Sequence, residues 1–182
     1  MNKNPKIIIF CWGGLFTLAA IITHLLNHYV VQSEQTVLRN LLGVVEVAFS
    51  CFCLYKAVYT FRAGQGDGVP FAALKGLKLS MGLLLVFFVL FLSYSMTLYN
   101  FIDTDFVADY KTNRIEIVQK NDMPTEQKEQ TIKTIQSLTA SSYAITDTLQ
   151  RLIFPVMGML FIVAFLQRKP VKSIEVNDTK NQ

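Results

Sequence analysis

The chain has 182 residues, of which 52% are hydrophobic, and carries a formal net charge of +4. Its pI is near 9.0 and its mean hydropathy is +0.36. The cations flank apolar runs instead of alternating with exposed aromatic residues, which argues against nucleic-acid binding and for a chain oriented in a bilayer with anionic headgroups.

Four apolar runs, roughly 6–29, 38–61, 77–101 and 149–167, each approach the ~20 residues that a helix needs to cross a bilayer. The first follows the short basic stretch Lys3–Lys6. It is too long for the apolar core of a signal peptide and has no clean small-x-small cleavage site after it, so it is expected to stay as a signal anchor. Trp12 lies near its start, where an interfacial aromatic belongs. The second run follows the polar loop Gln32–Gln35 and leaves through Tyr55, Lys56, Tyr59 and Arg62. Lys56 is close enough to that end to snorkel.

Three glycines and a proline between Ala63 and Pro70 predict a turn. A phosphate loop is excluded there, because no Gly-Lys-Ser/Thr ending and no preceding strand are present. Lys75 and Lys78 then mark the water side of the third run, whose far end is crowded by Tyr94, Tyr99 and Asn100.

Residues 102–147 form the one sizeable polar insert and are net acidic by three charges. The periodicity predicts two helices. The first covers about Asp105–Lys120 with Phe106, Tyr110 and Ile117 on one stripe, and the second about Thr125–Leu138 with Ile132, Ile135 and Leu138 on one face. Pro124 fits the start of the second. Both apolar faces are candidates for docking a partner, although they are also suited to lie on the membrane or against each other. Thr139, Ser141 and Ser142 read as a flexible joint before the last span. Pro155 is expected to kink that span within its first two turns. Arg168, Lys169 and Lys172 follow, and 170–182 read as a polar tail.

The expected fold is therefore an all-α membrane protein with four transmembrane helices and an extracytoplasmic helical insert between the third and fourth. Residues 1–169 form one transmembrane domain. Lys3, Lys6, Arg62, Lys75, Lys78, Arg168, Lys169 and Lys172 share one side, against Arg39 on the other short loop. The positive-inside rule then puts both termini in the cytoplasm.

Few residues in the spans carry chemistry. His24 and His28 lie one turn apart near the outer end of the first span, on one helix face. Glu46 enters the second span from the same side. Antiparallel packing would set His24 and Glu46 at similar depth, roughly 9–12 Å below the boundary. An ionisable residue within a span is a functional candidate with a partner to be named, and the named pair is Glu46–His24, with Asn27 and His28 above it. Three readings of this cluster stay open: a polar contact fixing helix register, proton handling or transport, and a metal site. The middle Glu of a zinc-protease motif is missing, so no metal and no other cofactor is assigned.

Asp103, Asp105 and Asp109 lack the glycine and terminal Glu of a calcium loop and suit a helix start. Cys11, Cys51 and Cys53 all fall in spans and read as packing residues, not as disulfides. Ser93 and Ser95 have no neighbouring His. No catalytic residue is assigned, which argues against an enzyme.

Tyr59-x-x-Arg62, the glycine-rich turn, Phe71-Ala72-Ala73-Leu74-Lys75-Gly76 and Asp103-x-Asp105-Phe106 after an aromatic span end together resemble the "domain of unknown function 4199" family of Bacteroidota. The resemblance covers about 5–169. It implies a small four-span protein of a bacterial inner membrane and brings no catalytic residues.

The expected role is that of a non-catalytic accessory or scaffold subunit of an envelope complex. Its expected contacts are the lipid bilayer and a membrane or periplasmic protein, and a homo-oligomer is left open. The alternatives are a small transporter or proton-linked protein using Glu46, His24 and His28, and a lipid-modifying enzyme at the outer interface using His28, Asp103 and Asp105.

Overall fold

The computed structural model describes residues 4–30, 36–65 and 72–168. The polar loop Gln32–Gln35, the turn at 66–70 and the tail lie outside the described residues, as do Lys3, Lys169 and Lys172. Among the described residues there are six helices and no strand: α1 (Pro5–Leu25), α2 (Thr36–Ala63), α3 (Ala73–Thr97), α4 (Phe106–Lys120), α5 (Thr125–Gln136) and α6 (Ala140–Arg168). α1 continues into a π-helical turn at Leu26–Val30 and α3 into another at Leu98–Ile102. With those turns included, four helices are long and apolar enough to cross a membrane: Pro5–Tyr29, Val37–Ala63, Ala73–Ile102 and Ala140–Gln167.

The helix starts have local causes. Asn4 caps α1, its side-chain oxygen accepting from the Lys6 N–H at 3.0 Å, and Pro5 occupies the first position, where its missing N–H costs nothing. α6 begins at Ala140, well before the apolar run. Thr139 and Ser142 exchange hydrogen bonds, Ser142 Oγ accepting from the Thr139 N–H at 2.9 Å and Thr139 Oγ1 from the Ser142 N–H at 3.1 Å. This is a capping box with serine in the place of the usual Glu or Gln. The hydroxyl cluster expected to be a flexible joint is thus the start signal of the last helix. The joint shortens to Ser137–Thr139, and Pro155 sits about four turns into α6 instead of within two.

The described residues cluster into two compact units. The first holds those up to Phe87 and from Phe154 onward, and the second is Phe88–Ile153. In the first, Phe16 of α1 stacks on Phe87 of α3, with centroids 4.1 Å apart, and Cys53, Leu54, Ala57, Val58, Leu83, Val163 and Leu166 are buried. Small residues set the closest approaches. A Cβ added at Gly13 would lie 3.0 Å from Val86 Cγ1 and 3.3 Å from the Leu83 carbonyl oxygen, and one at Gly158 would lie 2.9 Å from Cys51 Sγ. Lipid tails are as apolar as leucine, so helix association in a bilayer rests on such close contact and not on withdrawal from water. In the last turn of α2, Arg62 is buried and its Nη1 donates to the Leu166 carbonyl. That contact meets one of the carbonyls left open in the last turn of α6.

The outer surface of the spans is apolar. Phe10, Leu85 and Phe161 are 66%, 63% and 74% exposed. No more than 39% of the most apolar stretch of any span is buried. An apolar surface of that extent would be a liability in water and is what a bilayer requires.

The second unit is built on aromatic rings. Tyr99, from the π turn after α3, stacks on Phe106 at 5.2 Å and meets Tyr143 of α6 edge-on at 5.0 Å, and Tyr143 also meets Phe106 and Tyr110. α4 buries Val107 and Val118, whereas α5 buries none of its residues. The two helices are clamped end to end. Lys111 Nζ of α4 donates to the Gln136 carbonyl at the end of α5, and Lys128 Nζ of α5 to the Gln119 carbonyl near the end of α4. Each lysine thereby meets the negative end of its neighbour's helix dipole.

Candidate functional site

In the first unit the polar residues of α1 and α2 meet within the spans. Thr23 Oγ1 donates to Glu46 Oε2 at 2.9 Å. The Ala20 and Ala19 carbonyls lie 3.0 and 3.1 Å from the same hydroxyl, which has a single proton to divide among the three. Thr23, the residue just before His24, thus supplies a hydrogen bond to Glu46 that the sequence pairing did not include. His24 is buried and its ring lies over that of His28, with centroids 5.8 Å apart and planes 24° from parallel. His28 belongs to the π turn, where Tyr29 meets it edge-on at 4.5 Å. Helical spacing therefore does bring the two imidazoles together. Among the described residues no three His, Cys, Asp or Glu side chains gather as a metal site.

Thr23 went unnoticed in the sequence because a threonine mid-span most often bonds its own helix, as Thr17 does to the Gly13 carbonyl at 2.8 Å. Its position one residue before His24 on the helix facing Glu46 was the available signal. We expect Thr23→Val to lower stability by about 0.6–1.7 kcal/mol, the range for hydrogen bonds between membrane helices. Thermal unfolding of the purified protein in detergent checks this, and an unchanged Tm would remove the contact from any role in register.

The insert residues fall into two groups. Phe106 and Tyr110 are taken up by the aromatic cluster with Tyr99 and Tyr143, and Arg114 lies over the Tyr110 ring. Ile117 is half exposed, and Ile132, Ile135 and Leu138 are partly buried. The outward side of α5 instead carries Glu126, Glu129, Gln130 and Lys133, all exposed and at helical spacing. On α4, Lys120 pairs with Glu116 at 2.6 Å and holds that carboxyl below the usual carboxylate range. The pair belongs to neutral pH and is lost as acid protonates the glutamate. Asp103 is partly buried after the π turn, and Asp105 and Asp109 are exposed at the start of α4.

A second pair escaped the sequence reading altogether. Arg151 Nε donates to Asp147 Oδ1 at 3.2 Å along α6, and the guanidinium lies 4.9 Å over the Phe91 ring. The Asp-x-x-x-Arg spacing within an apolar helix was the signal.

At the end of the first unit marked by Pro5, an apolar groove of about 230 Å³ runs between α1, α2 and α3, lined by Pro5, Ile9, Phe61, Leu79, Lys75 and Lys78.

Four long apolar helices with an apolar outer surface define a multi-pass membrane protein. A family profile described as "protein of unknown function (DUF4199)" matches residues 11–168, so the chain belongs to that family. No curated protein and no solved structure matches the chain.

Proposed function

We propose that this chain is a non-catalytic accessory or scaffold subunit of an envelope complex in a bacterial inner membrane. In this reading residues 1–169 form the four-span domain, both termini are cytoplasmic, and α4–α5 dock a partner on the other side.

The observation that carries the reading is the build of the insert. Four aromatic rings and two lysine clamps fix α4 and α5, yet α5 has no fully buried residue and presents Glu126, Glu129, Gln130 and Lys133 outward. A rigid base displaying a polar helix suits recognition better than chemistry, because the ordering cost of a binding surface is met before the partner arrives. The orientation draws support from the first unit. Pro5, Phe61, Lys75 and Lys78 line one groove, so the start of α1, the end of α2 and the start of α3 with its cations share one end. The positive-inside rule assigns that end to the cytoplasm.

A photo-cross-linking residue at Gln130, in cells, tests the role. The expected result is one discrete protein adduct that Glu129→Lys removes while the chain's own level is unchanged. Adducts to lipid or to the chain itself, or adducts indifferent to Glu129→Lys, would count against it.

The stacked pair of a buried His24 and His28 near Thr23–Glu46 favours a second reading, a proton-linked carrier. That reading requires Glu46→Gln to abolish function at an unchanged Tm. The scaffold reading requires function to persist.

A further inference from the structure

The groove between α1, α2 and α3 combines two kinds of surface. Its floor is aliphatic and aromatic: Pro5, Ile9, Phe61 and Leu79. Its rim carries Lys75 and Lys78, which are three residues apart at the start of α3 and therefore on the same face. Both lysines are exposed, and none of the six lining residues is acidic. A Cβ at Gly82 would come within 2.8 Å of Ile9 Cδ1, so α1 and α3 touch beside it.

We infer that this groove is a binding site for one anionic phospholipid, with an acyl chain along Ile9, Phe61 and Leu79 and the phosphate between Lys75 and Lys78. A zwitterionic headgroup would set its own cation against the two ammonium groups, whereas an anionic headgroup adds no such repulsion. A soluble anion would meet the lysines but leave the apolar floor in contact with water or tails. Basic recesses between membrane helices on the side facing anionic lipid are suited to such headgroups. The inference rests on the membrane-spanning fold and is independent of the accessory role.

The chain carries its own reporter. Trp12 is the single tryptophan, three residues on from Ile9 and so one turn deeper on the same side of α1, with Phe52 edge-on against it at 6.2 Å. The full chain is reconstituted in dioleoylphosphatidylcholine vesicles containing a minor share of dioleoylphosphatidylglycerol, with bromine on the acyl chains of one lipid or the other. At low salt, brominated phosphatidylglycerol is expected to quench Trp12 about three- to ten-fold more effectively per mole than brominated phosphatidylcholine, as two surface lysines allow. The preference is expected to shrink at high salt and to approach parity in Lys75→Gln/Lys78→Gln. Equal quenching by the two lipids in the native chain would overturn the inference, and so would a preference that survives in the double variant. If the variant does not fold, the native preference and its salt dependence decide the matter. Excess soluble glycerol phosphate should leave the preference intact; its loss would assign the lysines to a free phosphate and overturn the lipid site.

Discussion

Tyr99→Ala should release the insert. The ring is 1% exposed and is shared between Phe106 and Tyr143, at 5.2 and 5.0 Å. Removing a large buried aromatic costs about 3–5 kcal/mol. Each aromatic pair adds about 0.5–1.5 kcal/mol beyond area alone. The loss falls on contacts made by α4 and by the first turn of α6, so α4 and α5 should exchange their amide hydrogens much faster while the helices of the first unit stay protected. Hydrogen exchange read by mass spectrometry resolves this. Phe101, two residues on in the same π turn, is 81% exposed, and Phe101→Ala should change stability by no more than about 0.5 kcal/mol. If both variants behave alike, the aromatic cluster is not what holds the insert.

Gly13→Leu should be the most damaging change in the first unit, and Gly14→Leu beside it nearly silent. At Gly13 even a Cβ would press on the Val86 side chain and the Leu83 carbonyl, whereas at Gly14 nothing lies within 4 Å. The neighbours at Gly13 are a β-branched side chain and backbone, neither of which yields easily. A leucine there must push α1 from α3 and disturb the Phe16–Phe87 stack, whose centroids are 4.1 Å apart. Overpacking of a tight contact costs about 1–3 kcal/mol, and the upper part of that range is expected. The test is thermal unfolding of the two variants in one detergent. Equal Tm values would show that α1 and α3 do not meet through Gly13.

The sequence made the spans legible because length and apolarity are sufficient to call a membrane helix. The α4 and α5 stripes were legible too, since Pro124 and the isoleucine spacing punctuate them. A stripe, however, says which residues share a face and not what covers it. Phe106 and Tyr110 therefore read as a docking face, while the fold turns them toward Tyr99 and Tyr143, residues distant in sequence. The start of α6 was missed for a related reason. Hydropathy begins a span at its last polar residue, but the helix begins at its cap, and Thr139 with Ser142 sets that cap ten residues before the apolar run at 149. At the Glu46 cluster, helical spacing put His24 and His28 on one face, where their rings lie over each other; that Thr23 bonds Glu46 was hidden, because it depends on the rotation of α1 against α2.

The length of α6 bears on how much of it a bilayer can hold. At 29 residues it is about 43 Å long, while the hydrocarbon layer is about 30 Å thick. Even with an ordinary tilt it overshoots the layer by roughly two turns. If the overshoot lies at the Ala140 end, Asp147 reaches headgroup depth and Arg151 begins just below it, its side chain reaching up along the helix to the carboxylate. The polar opening turns of α6, from the Thr139–Ser142 cap to Asp147, are then the part of the helix that the hydrocarbon layer does not need to hold.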